Sequence, residues 1–288
     1  MASLQAGQIR ADFMVPHQTE EVLARLRHEP RHNLLLMDLV ASTEEDPGVG
    51  IRDCQVVVAS RGAEIVGVAS LRPSLILEDG LKSETLAAVL PFLSRLEAGL
   101  IKSQAHAVGP VWESLRSVGR NALLDRYEEC QVLATKGLRQ EPRVLPSGAS
   151  LRRAESSDLD ALVFAARSSL REEDRPDPFY GDPHGFRRWV RGRIGRARLV
   201  EVAGQPVFVG YADVCRPEGW LIQGVYTWPD QRRRGYARAG ILGMVDEAVQ
   251  AGAEHVQLAV VEGNRPAIGL YESLGFKAFS RLRTILFN

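Results

Sequence analysis

The second half of the chain switches between the hydrophobic periods of strands and of helices. β-rich runs at 197–202 and 206–214 flank the turn residues Ala203–Gln205 and predict a hairpin. From Arg233 to Gly252 the apolar residues recur at helical spacing, which predicts a long helix. From Leu151 onward the pattern gives a strand, two helices, three strands, a helix, a strand, a helix and closing strands. We therefore predict a layered α/β fold, in the α+β sense of helices packed on a mixed sheet.

The first half repeats parts of this order more faintly. A helix at 18–30 precedes a strand pair at 53–60 and 64–71, and a long helix is predicted at 83–99. Residues 106–117 indicate a short strand that passes into a helix. This partial repetition raises the hypothesis of an internal duplication.

A segment with the composition of a linker separates the two halves. Residues Gln140–Ser150 contain two prolines, a glycine and two serines between hydrophobic patterns. The chain of 288 residues is also longer than the roughly 100–200 residues of a usual domain. We predict two domains, at 1–142 and 148–288.

Composition and charge narrow the classes of function. The chain is 45% hydrophobic and 25% charged, as in ordinary globular proteins, and its formal net charge of zero removes the usual electrostatic case for nucleic-acid binding. No run approaches the ~20 apolar residues of a membrane span, and the first residues lack a signal-peptide pattern. We therefore expect a cytoplasmic protein with no nucleic-acid and no membrane partner. Cys54, Cys130 and Cys215 lie far apart and are interpreted as small buried hydrophobes, with no metal site.

The segment Gln231–Gly240 has the features of a phosphate-binding turn. Gly235 and Ala237 leave space for a ligand beside the backbone, and the predicted helix start offers unpaired amide groups that favour a phosphate. Four arginines add positive charge to the same turn, namely Arg232, Arg233, Arg234 and Arg238. An ordinary basic helix start is the alternative, but arginines at that position oppose the helix dipole. The pattern therefore favours a pyrophosphate site.

Two motifs together resemble those of the GNAT superfamily of acyl-CoA-dependent N-acyltransferases. Arg232-Arg-Arg-Gly235-Tyr-Ala237 is similar to the family's Arg/Gln-x-x-Gly-x-Gly/Ala loop. Asn264-Arg-Pro-Ala267-Ile-Gly-Leu-Tyr271 and the following Glu-Ser-Leu-Gly-Phe276 are similar to its Asn-x-x-Ala-x-x-Leu-Tyr-x-x-x-Gly-Phe block. The resemblance implies a GNAT domain in the second half, with acetyl-CoA as acyl donor and no metal.

The resemblance also implies roles for individual residues. Backbone amides from Arg233 to Arg238 are expected to hold the pyrophosphate, and the main chain of Val225 and Thr227 is expected to pair with the pantetheine arm. Asn264 is expected to hydrogen-bond the cofactor. The complete set of expected cofactor-binding residues is Val225, Thr227, Arg232, Arg233, Arg234, Gly235, Tyr236, Ala237, Arg238, Asn264, Ala267 and Tyr271.

Tyr271 is the expected general acid, because a phenol can return a proton to the departing CoA thiolate. The alternative is a tyrosine on the apolar face of a helix. The resemblance fails for the general base, since the strand before the loop contains Gln223 where many family members keep a glutamate. Asp213 and Glu218 are the nearest acids in sequence, and a water-relayed base or a neutral substrate amine would also serve. No base is assigned.

Two further charged stretches come before or at the start of the predicted hairpin in the sequence. Six arginines between Arg187 and Arg198 are interpreted as a solvated helix face, or alternatively as a wall that recognises an acidic acceptor or the CoA nucleotide. Trp189 among them is expected to pack on the core. The loop at 171–185 is rich in acids, prolines and aromatics, and its carboxylates would attract a cationic amine, although a surface loop has the same composition.

The first half resembles degenerate GNAT domains that are fused in front of an intact one. In this interpretation residues 102–117 replace the phosphate loop, with only a Gly109-Pro110 turn remaining, so weak or absent cofactor binding is expected there. The fold prediction is two GNAT-like mixed-sheet domains in tandem, in a monomer or a homodimer.

The predicted function is transfer of an acetyl group from acetyl-CoA to a primary amine of a small molecule or a protein by direct attack. One alternative is a tandem acetyltransferase resembling mycothiol synthase, which acetylates a thiol-sugar amine. Another is a non-catalytic acyl-CoA sensor or interaction protein, favoured by the missing strand glutamate. Nucleotide binding without CoA is a third, but it leaves the Asn264–Tyr271 block unexplained.

Overall fold

A computed structural model describes residues 7–42, 54–138 and 145–288. The chain packs into two compact units. Unit 1 comprises Met1–Cys130 with Ser280–Asn288, and unit 2 comprises Gln131–Phe279. The predicted domain boundary at 142–148 falls partly on residues 139–144, outside the described residues, and stays a prediction.

Unit 1 is built on a four-stranded antiparallel sheet of order β1-β2-β3-β4. Strand β2 alternates between two cores, with Val57 and Ala59 in one and Val56 and Val58 in the other, so helices cover both faces. The elements in chain order are β1 (Ile9–Phe13), α1 (Thr19–Leu26), α2 (Pro30–Ala41), β2 (Gln55–Arg61), β3 (Glu64–Arg72), β4 (Ile76–Leu77), α3 (Ser83–Leu93), β5 (Gly99–Gln104), α4 (Ala105–Ser117) and β6 (Ala122–Ala134).

Unit 2 contains the strand order β7-β8-β9-β10-β11. Its sheet also separates two cores, because Val200 and Phe208 face α7 whereas Leu199 and Val209 face α5 and α6. The elements in chain order are β7 (Ala149–Arg153), α5 (Leu159–Glu172), α6 (Pro183–Arg191), β8 (Ala197–Val202), β9 (Gln205–Arg216), β10 (Gly219–Thr227), α7 (Tyr236–Gln250), β11 (His255–Val261), α8 (Arg265–Ser273) and β12 (Lys277–Phe287).

The two units have the same order of elements. The first half of the chain, from β1 to β6, and the second half, from β7 to β12, each run strand, two helices, three strands, helix, strand, helix and strand, although residues 280–287 of β12 belong to unit 1. Within unit 1 the end of β12 pairs antiparallel with β5, at residues 282–287. The mixed α/β fold class and the predicted hairpin of β8 and β9 are confirmed, and the shared order supports the duplication hypothesis.

Three details of the sequence interpretation are corrected. Residues 106–117 contain no strand, because α4 begins at Ala105 and includes both Gly109 and Pro110. Since α3 is the counterpart of α7, the segment in the place of the phosphate loop is 78–82, between β4 and α3. Cys215 is exposed and Cys54 half-buried, so only Cys130 fits the description of a buried hydrophobe.

Candidate functional site

Strands β10 and β11 are parallel neighbours that stay together for only three residue pairs. The pairs join Trp220 to Val256, Leu221 to Gln257 and Ile222 to Leu258. Both strands continue, to Thr227 and to Val261, but no further pair links them in the described part of the chain. The two strands therefore diverge at their carboxyl ends, where α7 and α8 begin.

A bulge in β10 lies where this divergence starts. The register between β10 and β9 shifts between Gln223 and Tyr226, so β10 carries one extra residue there. Gly224 has φ +57°, and a Cβ at this position would lie 2.9 Å from a ring carbon of Tyr211. Glycine is needed here both for the left-handed backbone conformation and for the lack of space beside Tyr211. Because of the bulge, Val225 packs against the core cluster beneath α7.

The turn that leads into α7 leaves its amide groups without acceptors. Arg233 and Gly235 take left-handed backbone conformations, with φ of +63° and +85°. These conformations place the start of α7 at Tyr236, three residues later than the periodicity predicts. The N–H groups from Arg233 to Arg238 donate to no described acceptor, and glycine at the N-cap supplies no side-chain cap. The turn therefore presents the amide array and positive helix end that favour an anion.

The predicted cofactor-binding residues lie at or near this turn, but they differ in how far their side chains are buried. Tyr236 and Tyr271 share a buried core cluster, and Val225, Ala237 and Ala267 pack against it. Because the side chains of Tyr236 and Ala237 face this core, only their main chain is left for a ligand. Arg238 Nη1 donates to Ser273 Oγ at 3.3 Å, which ties α7 to α8.

Arg232 serves as a brace between the turn and α5. Its Nε donates to the carbonyl oxygen of Thr227 at 3.0 Å, and its Nη2 lies 2.8 and 2.7 Å from the two carboxylate oxygens of Glu172. The guanidinium also lies 5.7 Å from the ring centre of Tyr226. This bracing role for Glu172 was not predicted from the sequence, although Glu172 belongs to the acidic loop that the sequence singles out.

Asn264 caps α8 with its side-chain oxygen, which accepts from the Ala267 N–H at 3.3 Å. Asn264 is exposed at this helix start. Ala267 thus offers no free amide, and Asn264 keeps its donor group for a ligand.

The comparisons with known proteins concern this part of the chain. Residues 159–276 match the Acetyltransferase (GNAT) family. The second unit contains a GNAT acetyltransferase domain. An 85-residue segment is 28% identical to L-ornithine N5-acetyltransferase of Arabidopsis thaliana. The aligned segment covers 29% of this chain and 37% of that protein's length.

Solved structures resemble almost the whole chain in fold. A Drosophila protein has a TM-score of 0.71 at 12% identity, over 96% of this chain and 98% of its own. A tandem GNAT protein from the clavulanic acid biosynthesis pathway has a TM-score of 0.57 at 14% identity, over 97% and 98%. The predicted tandem GNAT-like architecture is thereby confirmed.

Tyr271 lies inside the core of the GNAT domain rather than on its surface. It packs against Phe276 with ring centres 6.2 Å apart, and its hydroxyl has no hydrogen-bond partner among the described residues. Burial, and secondarily the negative charge of Glu173, raise the pKa of Tyr271 to about 12. The side chain therefore stays protonated at neutral pH, as a proton donor must.

Neither sequence candidate for the general base lies free at the GNAT-domain turn. Asp213 Oδ2 is 2.6 Å from Nη2 of Arg193, so an arginine holds this carboxylate. Glu218 pairs with Arg216 at 3.2 Å and immediately precedes β10. Since a strand rises about 3.3 Å per residue, the nine residues of β10 put Glu218 roughly 25–30 Å from the turn at its other end.

Most arginines of the basic run before β8 have partners inside the GNAT domain. Arg198 is buried and holds Glu247 of α7 through its Nε at 2.8 Å. Arg193 stacks on Tyr211 and on Trp189, which packs on the core as predicted. Arg187 pairs with Asp160, and Arg188 approaches Asp182 at 3.7 Å. These partners support a structural role rather than a wall for an acidic ligand.

In the described ranges, no helix is long and apolar enough to cross a membrane. Over the same ranges, no group of three His, Cys, Asp or Glu side chains is arranged to hold a metal ion.

Proposed function

We propose that this protein transfers an acetyl group from acetyl-CoA to a primary amine by direct attack of the amine, with the GNAT domain as the catalytic unit. The observation that carries the proposal is the turn at 233–238, whose N–H groups are without acceptors at the diverging ends of β10 and β11. Acetyl-CoA would supply a thioester that is already activated for acyl transfer.

The residues of the turn fit a diphosphate. Six successive N–H groups, the start of the 15-residue helix α7 and the exposed side chains of Arg233 and Arg234 all favour negative charge at one place. The main-chain edge of β10 from Gly224 to Thr227 makes no pair with β11 in the described part of the chain, and it offers hydrogen bonds to an amide-containing arm. The Arg232 brace fixes the Thr227 carbonyl on this edge.

Tyr271 would hold the proton that the leaving thiolate needs. Its raised pKa keeps the hydroxyl protonated, and the absence of a described hydrogen-bond partner leaves that hydroxyl for the ligand. The surrounding core excludes water, so a hydrogen bond made there is stronger than one in solvent.

For the amine proton we propose Glu173, directly or through a water molecule. Its charge acts on Tyr271, so the carboxylate lies near the proposed acid. It sits at the carboxyl end of α5, next to Glu172, whose own carboxylate is held by Arg232, and the negative charge of Glu173 would also attract a cationic amine. The similarity to an ornithine acetyltransferase is consistent with a cationic amine acceptor, and it covers less than a third of this chain.

The test is a CoA-release assay over polyamines, amino acids, aminoglycosides and peptides, combined with calorimetric titration of acetyl-CoA. We expect one acetyl-CoA per chain and turnover with at least one amine class. Binding without turnover over the whole panel would favour the second candidate, an acyl-CoA sensor. That candidate is supported by β10, which has no acid, and by Asp213, which is held by Arg193.

A further inference from the structure

Unit 1 contains a cavity that the acetyl-transfer proposal does not use. Its volume is about 400 Å³, within the range of small-molecule sites. The walls come from the end of β1, the start of β2, the end of β3 and the carboxyl end of α3, and they include Phe13, Gln55, Arg72, Phe92, Arg95 and Leu96. The counterpart of the phosphate turn lies at the other end of α3, roughly 16 Å away for a helix of 11 residues.

The charge on the cavity wall is unbalanced. Arg72 and Arg95 line it, no carboxylate does, and neither guanidinium has an ion pair or hydrogen bond within the described ranges. By contrast, Arg25 pairs with Glu78 at 2.8 Å and Arg126 pairs with Glu128 at 3.2 Å in the same unit. The amide of Gln55 adds a third group able to donate a hydrogen bond at this cavity.

Arg95 does not hydrogen-bond the carbonyl groups at the end of α3 in the described part of the chain. An arginine there would serve as a cap if the last carbonyl groups of the helix lacked donors. The carbonyl oxygens of Leu90 and Leu93 accept from Ser94 and Leu96 N–H groups at 2.9 and 3.1 Å. The carbonyl oxygen of Leu96 accepts from Arg120 Nε at 2.8 Å. The Arg95 guanidinium instead lies at the cavity, over the ring of Phe92.

The apolar part of the wall is aromatic. Phe13 and Phe92 meet edge to face with ring centres 5.4 Å apart, and Phe13 is 51% exposed although it is a large hydrophobic residue. The Arg95 guanidinium lies 5.9 Å from the centre of the Phe92 ring, and Leu96 is buried below. A flat ring inserted beside Phe13 would cover apolar surface that is otherwise in water.

We propose that this cavity binds a small molecule that carries a carboxylate on an aromatic body. The carboxylate pairs with Arg72 and Arg95, whose forked guanidinium groups match its two oxygens, and the ring packs against Phe13 and Phe92. The site belongs to unit 1 alone and does not depend on the acetyl-transfer proposal.

The experiment titrates the full chain with phenylacetate by calorimetry and by ligand-observed NMR, beside phenylacetamide and acetate. We expect phenylacetate to bind with a Kd on the order of 1 mM, in line with its small size, and each control ligand to bind at least tenfold more weakly. Arg72→Gln and Arg95→Gln should each raise the Kd for phenylacetate about tenfold or more.

Arg116→Gln is the matched control and should leave the Kd unchanged, because Arg116 is an exposed arginine on α4 that does not line the cavity. Phe92→Leu should weaken phenylacetate binding while its melting curve verifies folding. Equal affinity for phenylacetate and phenylacetamide would overturn the proposal, as would no binding of phenylacetate or an effect of Arg116→Gln as large as that of Arg95→Gln. Acetyl-CoA affinity should not change in any of these variants.

Discussion

The two units share one order of elements, yet the crossover from sheet to helix differs sharply between them. In unit 2 the nine-residue β10 leaves β11 after Ile222 and ends in a turn of unpaired N–H groups. In unit 1 the corresponding strand β4 has only two residues and remains tied to β5, since the Leu77 N–H donates to Ser103 Oγ at 2.7 Å. Only the first of these crossovers opens a space between parallel strands.

The two turns also differ in charge. In unit 1 the buried carboxylate of Glu78 follows β4, where it accepts from the Val68 N–H at 2.9 Å and pairs with Arg25. Burial raises the pKa of Glu78 despite Arg25, so a further anion there would be strongly disfavoured. The turn of unit 2 carries arginines and no such carboxylate. The same order of elements therefore gives one unit a turn that we propose binds an anion, and gives the other unit a corresponding turn that begins with a buried carboxylate.

The largest expected effect comes from Gly235→Glu. The substitution forces a side chain onto a backbone with φ +85° and places a carboxylate beside the amide array. We expect calorimetry to detect no acetyl-CoA binding. Gly80→Glu is the matched control, because Gly80 has φ +74° in the corresponding turn of unit 1 and open space around it. Equal loss of binding in both variants would mean that backbone strain, not the local anion site, explains the result.

Tyr271→Phe should lower kcat about 100-fold, the lower end of the usual contribution of a general acid, while the Kd for acetyl-CoA changes less than about twofold. Tyr211→Phe is the comparison within the same unit, since burial raises the pKa of Tyr211 to about 12 as well but Tyr211 packs in the other core. We expect normal turnover from Tyr211→Phe. Unchanged turnover of the Tyr271→Phe variant would show that another group donates the proton.

Glu172→Gln should weaken acetyl-CoA binding roughly threefold to tenfold, because loss of a half-exposed ion pair loosens Arg232 and its hydrogen bond to the Thr227 carbonyl. The control is Glu84→Gln in unit 1, which removes a similarly exposed partner of Arg61. Titration of both variants separates the brace from a general effect of surface charge. The brace has no role in binding if the two variants keep the same Kd.

The smallest expected effect concerns pH. Because Tyr271 loses its proton only near pH 12, ionisation of its hydroxyl should not lower kcat between about pH 8 and about pH 10. The folded state also favours the protonated phenol, so its contribution to the unfolding free energy is complete below about pH 10 and is lost as pH rises toward 12. A fall in kcat near pH 9 that disappears in Tyr271→Phe would contradict the raised pKa.

The sequence predicts the fold best where periodicity and turn residues agree. The β8–β9 hairpin, α7 and the two motifs of the GNAT domain follow from such local signals. Helix α2 does not, because it is buried nearly all round, with Leu34, Leu36, Met37, Leu39 and Val40 all in the core. This distribution hides the helical period, and only Pro30 at the helix start remained as a signal.

Tertiary packing explains the remaining errors. Gly109-Pro110 has the composition of a turn, but Val108, Val111, Trp112 and Leu115 bury one face of α4 in the core, which outweighs the ~3 kcal/mol cost of proline in a helix. Likewise, the sequence places Arg232 in a phosphate turn and Glu172 in an acidic loop, but it gives no sign that these two residues, 60 positions apart along the chain, form an ion pair. Long-range ion pairs of this kind leave no local pattern.

The central claim is that the amide groups before and within the first turn of α7 hold the diphosphate of acetyl-CoA. A crystal structure of the chain soaked with CoA tests it most directly. We expect the diphosphate oxygens within hydrogen-bond distance of N–H groups in 233–238, and no CoA at residues 78–82 of unit 1. A diphosphate bound at 78–82, or anywhere else with 233–238 free of it, would contradict the account.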